Sequence, residues 1–147
     1  MNTNIRKILI VDDSTKDVEL TIAALSQNNL ANEVVVAEDG IEALDYLYRR
    51  GKYSNHADGN PVVILLDIKM PKMDGIQLLQ YIRSEPEFKF IPIIILTSSR
   101  EEKDLIESYK LGANSFVVKP VDIVQFIESI KSLGQYWAVI NQLPTSR

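Results

Sequence analysis

Five residues with chemically useful side chains sit where apolar runs end. Asp12 and Asp13 follow Ile5–Val11, Asp67 follows Pro61–Leu66, Thr97 follows Ile91–Leu96, and Lys119 follows Ser115–Val118. Short runs of Val, Ile and Leu read as strands buried on both faces. A carboxylate at the end of such a run has no packing reason to be there. Three carboxylates brought close together raise one another's pKa, and a divalent cation relieves that repulsion. Oxygen ligands without cysteine or a nearby histidine favour Mg²⁺ or Mn²⁺ over zinc. An aspartate nucleophile, a hard cation, a lysine and a hydroxyl form a set suited to phosphoryl transfer. The carboxylate attacks, while the cation and ammonium neutralise charge on the oxygens of the moving group.

Positioning these residues requires five strands in one sheet. Glu33–Ala37 supplies the remaining strand, and a helical pattern follows each run. Ser14 with Asp17, Asp39 with Glu42, and Ser99 with Glu102 have capping-box spacing, and Asp74 and Asp122 are further N-caps. The helical stripes are Val18, Ile22, Leu25; Ile41, Leu44, Leu47; Ile76, Leu79, Ile82; Leu105, Ile106, Tyr109; and Ile123, Phe126, Ile127, Ile130, Leu133. Gly112 can stop the fourth helix. Strict β-α alternation with right-handed crossovers predicts an α/β, flavodoxin-like (βα)5 fold with a doubly wound parallel sheet. Its expected strand order is 2-1-3-4-5, and ligands of such sheets bind at the carboxyl ends of the strands.

The 147 residues fit one domain, expected over 1–147 with a core of about 5–133 and a C-terminal helical extension of about 134–147. With no cysteine, disulfides, thiolate catalysis and cysteine-bound zinc are excluded. A net charge of −4, from 16 basic and 20 acidic residues, argues against nucleic acid held by general electrostatics. No apolar run is long enough to cross a bilayer, and polar Met1–Asn4 is not a leader, so no membrane partner and a cytoplasmic location are expected. Absence of G-x-x-x-x-G-K-[ST] and G-x-G-x-x-G disfavours a nucleotide enzyme.

Four stretches together resemble the receiver domain of two-component response regulators. They are Val11-Asp12-Asp13-Ser14, Leu66 through Gly75 with its D-x-x-M-P-x-M-D-G pattern, Leu96-Thr97-Ser98, and Phe116-Val117-Val118-Lys119-Pro120. The resemblance spans about Ile5 to Leu133. It implies that Asp67 is the phosphoacceptor for a histidine kinase or phosphotransfer protein. Asp12, Asp13, Asp67 and the backbone carbonyl of Lys69 would then hold Mg²⁺. Thr97 would bond the phosphoryl group, Lys119 would pair with one of its oxygens, and Phe116 would be an aromatic whose rotamer follows Thr97. A Lys119–Pro120 bond of this kind is often cis.

Each residue also has an ordinary use. Asp12 and Asp13 suit a helix-leading turn, Thr97 a helix lead, Lys119 a solvated surface and Phe116 the core. His56 lies in the polar loop Gly51–Asn60 and is read as solvated, and Arg100–Asp104 as a solvated first turn. Gly75 is assigned a backbone role. Two other functions compete. One is a Mg²⁺-dependent phosphatase with an aspartyl-phosphate intermediate, against which stands Lys69 where a second aspartate acts as acid/base in that class. The other is a pseudo-receiver that only binds, against which stands the intact set Asp12, Asp13, Asp67, Thr97 and Lys119. With the chain ending at Arg147, output is expected from the receiver's own surface. Phe126, Ile130, Leu133, Trp137 and Ile140 continue one apolar stripe, which suggests a homodimer through the last helix and tail; Trp137 folding back on its own domain is the other reading. A narrower resemblance, to stand-alone receivers beside bacterial phytochrome kinases, points to light signalling and a phytochrome kinase as donor.

Overall fold

A computed structural model of the chain describes residues 7–26, 33–56, 59–68, 70, 72–97 and 110–132. Strands β1 (Ile8–Val11), β2 (Val34–Ala37), β3 (Val63–Asp67), β4 (Ile93–Thr97) and β5 (Ser115–Val118) form one parallel sheet in the order β2-β1-β3-β4-β5. The described helices are α1 (Thr15–Ser26), α2 (Gly40–Tyr48), α3 (Gly75–Ser84) and α4 (Ile123–Ser132). This is the order that doubly wound, flavodoxin-like sheets commonly take, as expected. The helix predicted after Ser99, with its cap and charged run, lies outside the described residues. So do Lys69, Leu133 and the tail bearing Trp137.

Strand alternation sorts the core into two layers. Leu9, Val11, Ile64, Leu66, Ile93 and Ile95 face α2 and α3. Ile8, Ile10, Val63, Leu65, Ile94 and Leu96 face α1 and α4. The named residues of β1, β3 and β4 are shut off from solvent on both faces, as a parallel sheet covered by helices requires. Each such side chain stabilises the fold by about 1.5–3 kcal/mol.

The apolar runs begin earlier than the regular ladder. Ile91 is tied back to Phe88 by an N–H···O bond of 3.0 Å, and Val62 N already bonds Lys7 O at 2.9 Å before β3 begins. Two helical stripes differ from the spacing. In α2 the buried residues are Ala43, Leu44, Tyr46 and Leu47, while Ile41 faces out; in α3, Leu78 is buried beside Leu79 and Ile82, and Ile76 only in part. Asp74 forms a full capping box with Gln77. Asp39 accepts from Glu42 N at 2.8 Å, but Glu42 returns to Glu38 N at 2.9 Å, one residue before the cap. Asp122 Oδ1 accepts from Val124 N at 2.7 Å and so leads α4.

Candidate functional site

Asp12, Asp67 and Lys119 converge for a reason visible in the alternation. They follow Ile10, Leu65 and Val117 by two residues, and all three of those belong to the layer facing α1 and α4. One carboxylate oxygen from each of Asp12, Asp13 and Asp67 lies within 4.8 Å of the others. Lys119 Nζ is 2.9 Å from Asp12 Oδ2 and 3.4 Å from Asp67 Oδ2, with its side chain 9% exposed. Asp67 and Thr97 are the last residues of β3 and β4 rather than the first of their loops. Thr97 is buried, and its carbonyl accepts from Lys119 N at 2.7 Å, so β4 fixes where the lysine begins. The Lys119–Pro120 peptide bond is cis. Alternation puts Thr97 on the face of Ile95, whose partner on β5 is Phe116, so the two predicted switch residues share that face. Phe116 is partly buried against the α2–α3 layer.

The loop after β3 is held down by backbone contacts. Gly75 N donates to Ile68 O at 2.8 Å, and a Cβ on Gly75 would stand 2.2 Å from the Asp67 carbonyl oxygen. The glycine is therefore required by close approach. Gly40 N bonds Met73 O at 3.1 Å, which ties the same loop to the start of α2. The predicted carbonyl ligand, Lys69, falls outside the described residues.

Two expectations need correction. Ser14 Oγ does accept from Asp17 N at 3.2 Å, the forward half of a capping box. The return half is not made: Ser14 N donates to Asp12 Oδ1 at 3.0 Å, and Asp17 Oδ2 instead accepts from Lys119 Nζ at 3.0 Å. Asp17 is thus a site residue that spacing misassigned, because a partner 102 positions away leaves no local signal. His56 is not simply solvated. Its ring stacks on Tyr46 with centroids 4.3 Å apart, and its Nε2 lies 2.7 Å from Tyr46 O.

Burial pushes the Asp67 carboxyl up to about 6; the Lys119 ammonium opposes this and the neighbouring Asp12 charge adds to it. Burial alone would lower Lys119, but its close contacts with the Asp12 and Asp17 carboxylates and the charge of Asp67 hold it above its ordinary value. Asp12 Oδ2 is buried with an ammonium at 2.9 Å, yet receives no aligned hydrogen bond.

The sequence profile of the response regulator receiver domain matches residues 8–131. This chain belongs to the response regulator receiver family. The receiver is 32% identical to the response regulator Rcp1 of Synechocystis sp. over 139 residues, covering 95% of this chain and 93% of Rcp1. Among solved structures it is similar to the bacteriophytochrome response regulator AtBRR, with 53% identity, a TM-score of 0.85, and coverage of 94% and 99% of the two chains. The bacteriophytochrome response regulator RtBRR follows at 49% identity and a TM-score of 0.84, with coverage of 96% and 85%. Two-component signalling is accordingly the function class of this receiver. Receivers are phosphoacceptors that interact with histidine kinases or phosphotransfer proteins, and they bind a divalent metal at an acidic cluster.

The residues of this receiver fit such a metal. A small octahedral cation holds oxygens at about 2.1 Å, which places ligands about 3.0 to 4.2 Å apart. The three carboxylate oxygens, all within 4.8 Å of one another, are close enough together to share such a cation. Among the described residues, Asp12 Oδ2 is a buried oxygen without a hydrogen-bond donor, which a cation would satisfy.

Proposed function

We propose that Asp67 accepts a phosphoryl group from the phosphohistidine of a kinase or phosphotransfer protein. The observation that carries this is the meeting of Asp12, Asp13 and Asp67 at the strand ends, with Lys119 against Asp67. An Asp67 carboxylate oxygen forms the new P–O bond as the P–N bond to the donor imidazole breaks. Lys119 supplies a positive charge for an oxygen of the transferred group, and Thr97 is the hydroxyl that bonds it. Asp12, Asp13, Asp67 and the Lys69 carbonyl are the proposed ligands of Mg²⁺. When bound, the cation neutralises charge on the phosphoryl oxygens. A Mn²⁺-bound form of Rcp1 supports a hard divalent cation here.

Phosphorylation shifts the receiver between two arrangements only if the phosphoryl group favours one of them, with Thr97 and Phe116 as the switch. Lys69 stands two positions after Asp67, where the phosphatase reading needs a second aspartate as acid/base, which favours slow self-dephosphorylation over enzymatic turnover. Likeness to AtBRR and RtBRR supports a phytochrome kinase as donor, and hence light input in the cytoplasm. One receiver domain spans the chain on this reading. A second copy is proposed to pack on α4 and the tail; supporting this, Val124 is 64% exposed beside a groove of about 420 Å³ lined by Phe116, Val118 and Gln125.

The test is phosphotransfer from the host's histidine kinases, and from acetyl phosphate, to wild type and Asp67→Asn with Mg²⁺ or EDTA. Label is expected on the wild type with Mg²⁺ only. Label that persists on Asp67→Asn refutes the acceptor. A wild type that neither takes label nor binds beryllofluoride is a pseudo-receiver, and sustained hydrolysis of small phosphate esters would mark a phosphatase. Sedimentation at micromolar concentration, with and without beryllofluoride, decides the dimer: a monomer in both rules it out.

A further inference from the structure

Lys119 is surrounded by three carboxylates with unequal duties. Asp12 and Asp67 also belong to the trio that can share a divalent cation, and Asp17 does not. The aligned hydrogen bond of the ammonium goes to Asp17 Oδ2 at 3.0 Å. Asp12 Oδ2 is as near, at 2.9 Å, but lies off the hydrogen-bonding direction, and Asp67 Oδ2 is farther, at 3.4 Å. An ammonium and a divalent cation therefore compete for the same two carboxylates. Asp17 projects from the first turn of α1, and its side chain is 35% exposed. It can hold the ammonium without taking part in the cation's shell.

We propose that Asp17 is a positioning residue that keeps hold of the Lys119 ammonium when a divalent cation takes Asp12 and Asp67, and so favours the cation there. The inference rests on the metal reading above and extends it to a residue outside the ligand set. Without the Asp17 charge, the ammonium settles on Asp12 and Asp67, where it acts as an internal competitor. Three charge-assisted contacts on one ammonium become two, and both are then on metal ligands.

A double-mutant cycle on cation affinity tests this, with Mg²⁺ and Mn²⁺ titrated calorimetrically into the unphosphorylated protein. Asp17→Asn is expected to weaken binding roughly five- to tenfold, a coupling typical of groups in one ion-pair network. Lys119→Met is expected to tighten binding. In the Lys119→Met background, Asp17→Asn should change Kd by less than about twofold, because the competitor is gone. Asp17→Glu should restore part of the affinity. An Asp17→Asn effect of equal size in both backgrounds overturns the proposal, since Asp17 would then act only through its long-range field. No effect in the wild-type background overturns it as well. A wild type that binds neither cation at millimolar concentration brings down the metal reading and this inference together, whereas the two preceding outcomes remove the inference alone.

Discussion

Arg83 and Lys119 are both cations at least partly buried, yet their acceptors differ in kind. Arg83 donates to the carbonyls of Gly112, Lys89 and Ile91 and to the side chain of Asn114, at 2.8 to 3.0 Å. Asn114 Oδ1 also accepts from Ile93 N at 2.8 Å, so one guanidinium joins the end of α3 to the start of β4 and the approach to β5. All these acceptors are neutral, and burial lowers Arg83 from its ordinary value. Lys119 is held by carboxylates alone, and their charges win over burial. Neutral dipoles in fixed positions make a lock. Excess negative charge around one ammonium makes a site with capacity for a further cation, and two of those carboxylates are proposed to have another task.

The comparison breaks first at Arg83. Arg83→Ala leaves three carbonyls without this donor, and Asn114 Oδ1 with Ile93 N alone, and is expected to cost about 2–3 kcal/mol. Arg83→Lys should recover only part, because an ammonium cannot reproduce the fork. Urea denaturation measures the loss, and phosphotransfer to the folded fraction should stay intact. A variant within about 0.5 kcal/mol of wild type would show the lock to be decorative.

Gly75→Ala probes the cluster around Lys119, where backbone positions Asp67, the proposed acceptor. Alanine normally gains about 0.5–1 kcal/mol over glycine in a helix. Here its Cβ would meet the Asp67 carbonyl oxygen at 2.2 Å, and overpacking costs about 1–3 kcal/mol. A net loss of about 1–2 kcal/mol, with slower labelling of Asp67, is expected. A more stable variant with unchanged labelling would show that the crossing is looser than its geometry.

The same contrast explains what could be read in advance. Asp12, Asp67 and Lys119 were legible because strand ends and alternation are local, and parallel strands end on one side. The parallel sheet followed from β-α alternation, whereas its strand order was expected only as the common one for five such strands. Asp17 was not legible, because its spacing to Ser14 fits a capping box and the geometry makes half of one. Arg83 left no signal, because its partners are mainly backbone carbonyls, which carry no residue identity. Ile41 misled because Ile41, Leu44, Leu47 and Leu44, Tyr46, Leu47 are both tolerable helical stripes, and only packing against the sheet chose the second.

The smallest expected effect has the most informative sign. Removing the Asp67 charge should stabilise the metal-free protein at neutral pH, the reverse of Arg83→Ala. The folded-state carboxyl is raised from 3.8 to about 6, with burial as the main cause. The native state therefore holds this proton more tightly than the unfolded chain does. Below about pH 4 both states are protonated and there is no penalty; stability falls as pH rises through about 4 to 6 and is lowest above that window. The interval corresponds to at most about 3 kcal/mol, which solvent at the open side of the cluster reduces to about 1–2 kcal/mol. In EDTA, Asp67→Asn should thus exceed wild type by that amount at pH 7.5 and match it at pH 4, as read from urea midpoints. Mg²⁺ should erase the difference by stabilising only the wild type. Equal midpoints at pH 7.5 would mean that Lys119 already balances Asp67, leaving no surplus charge for a cation to relieve.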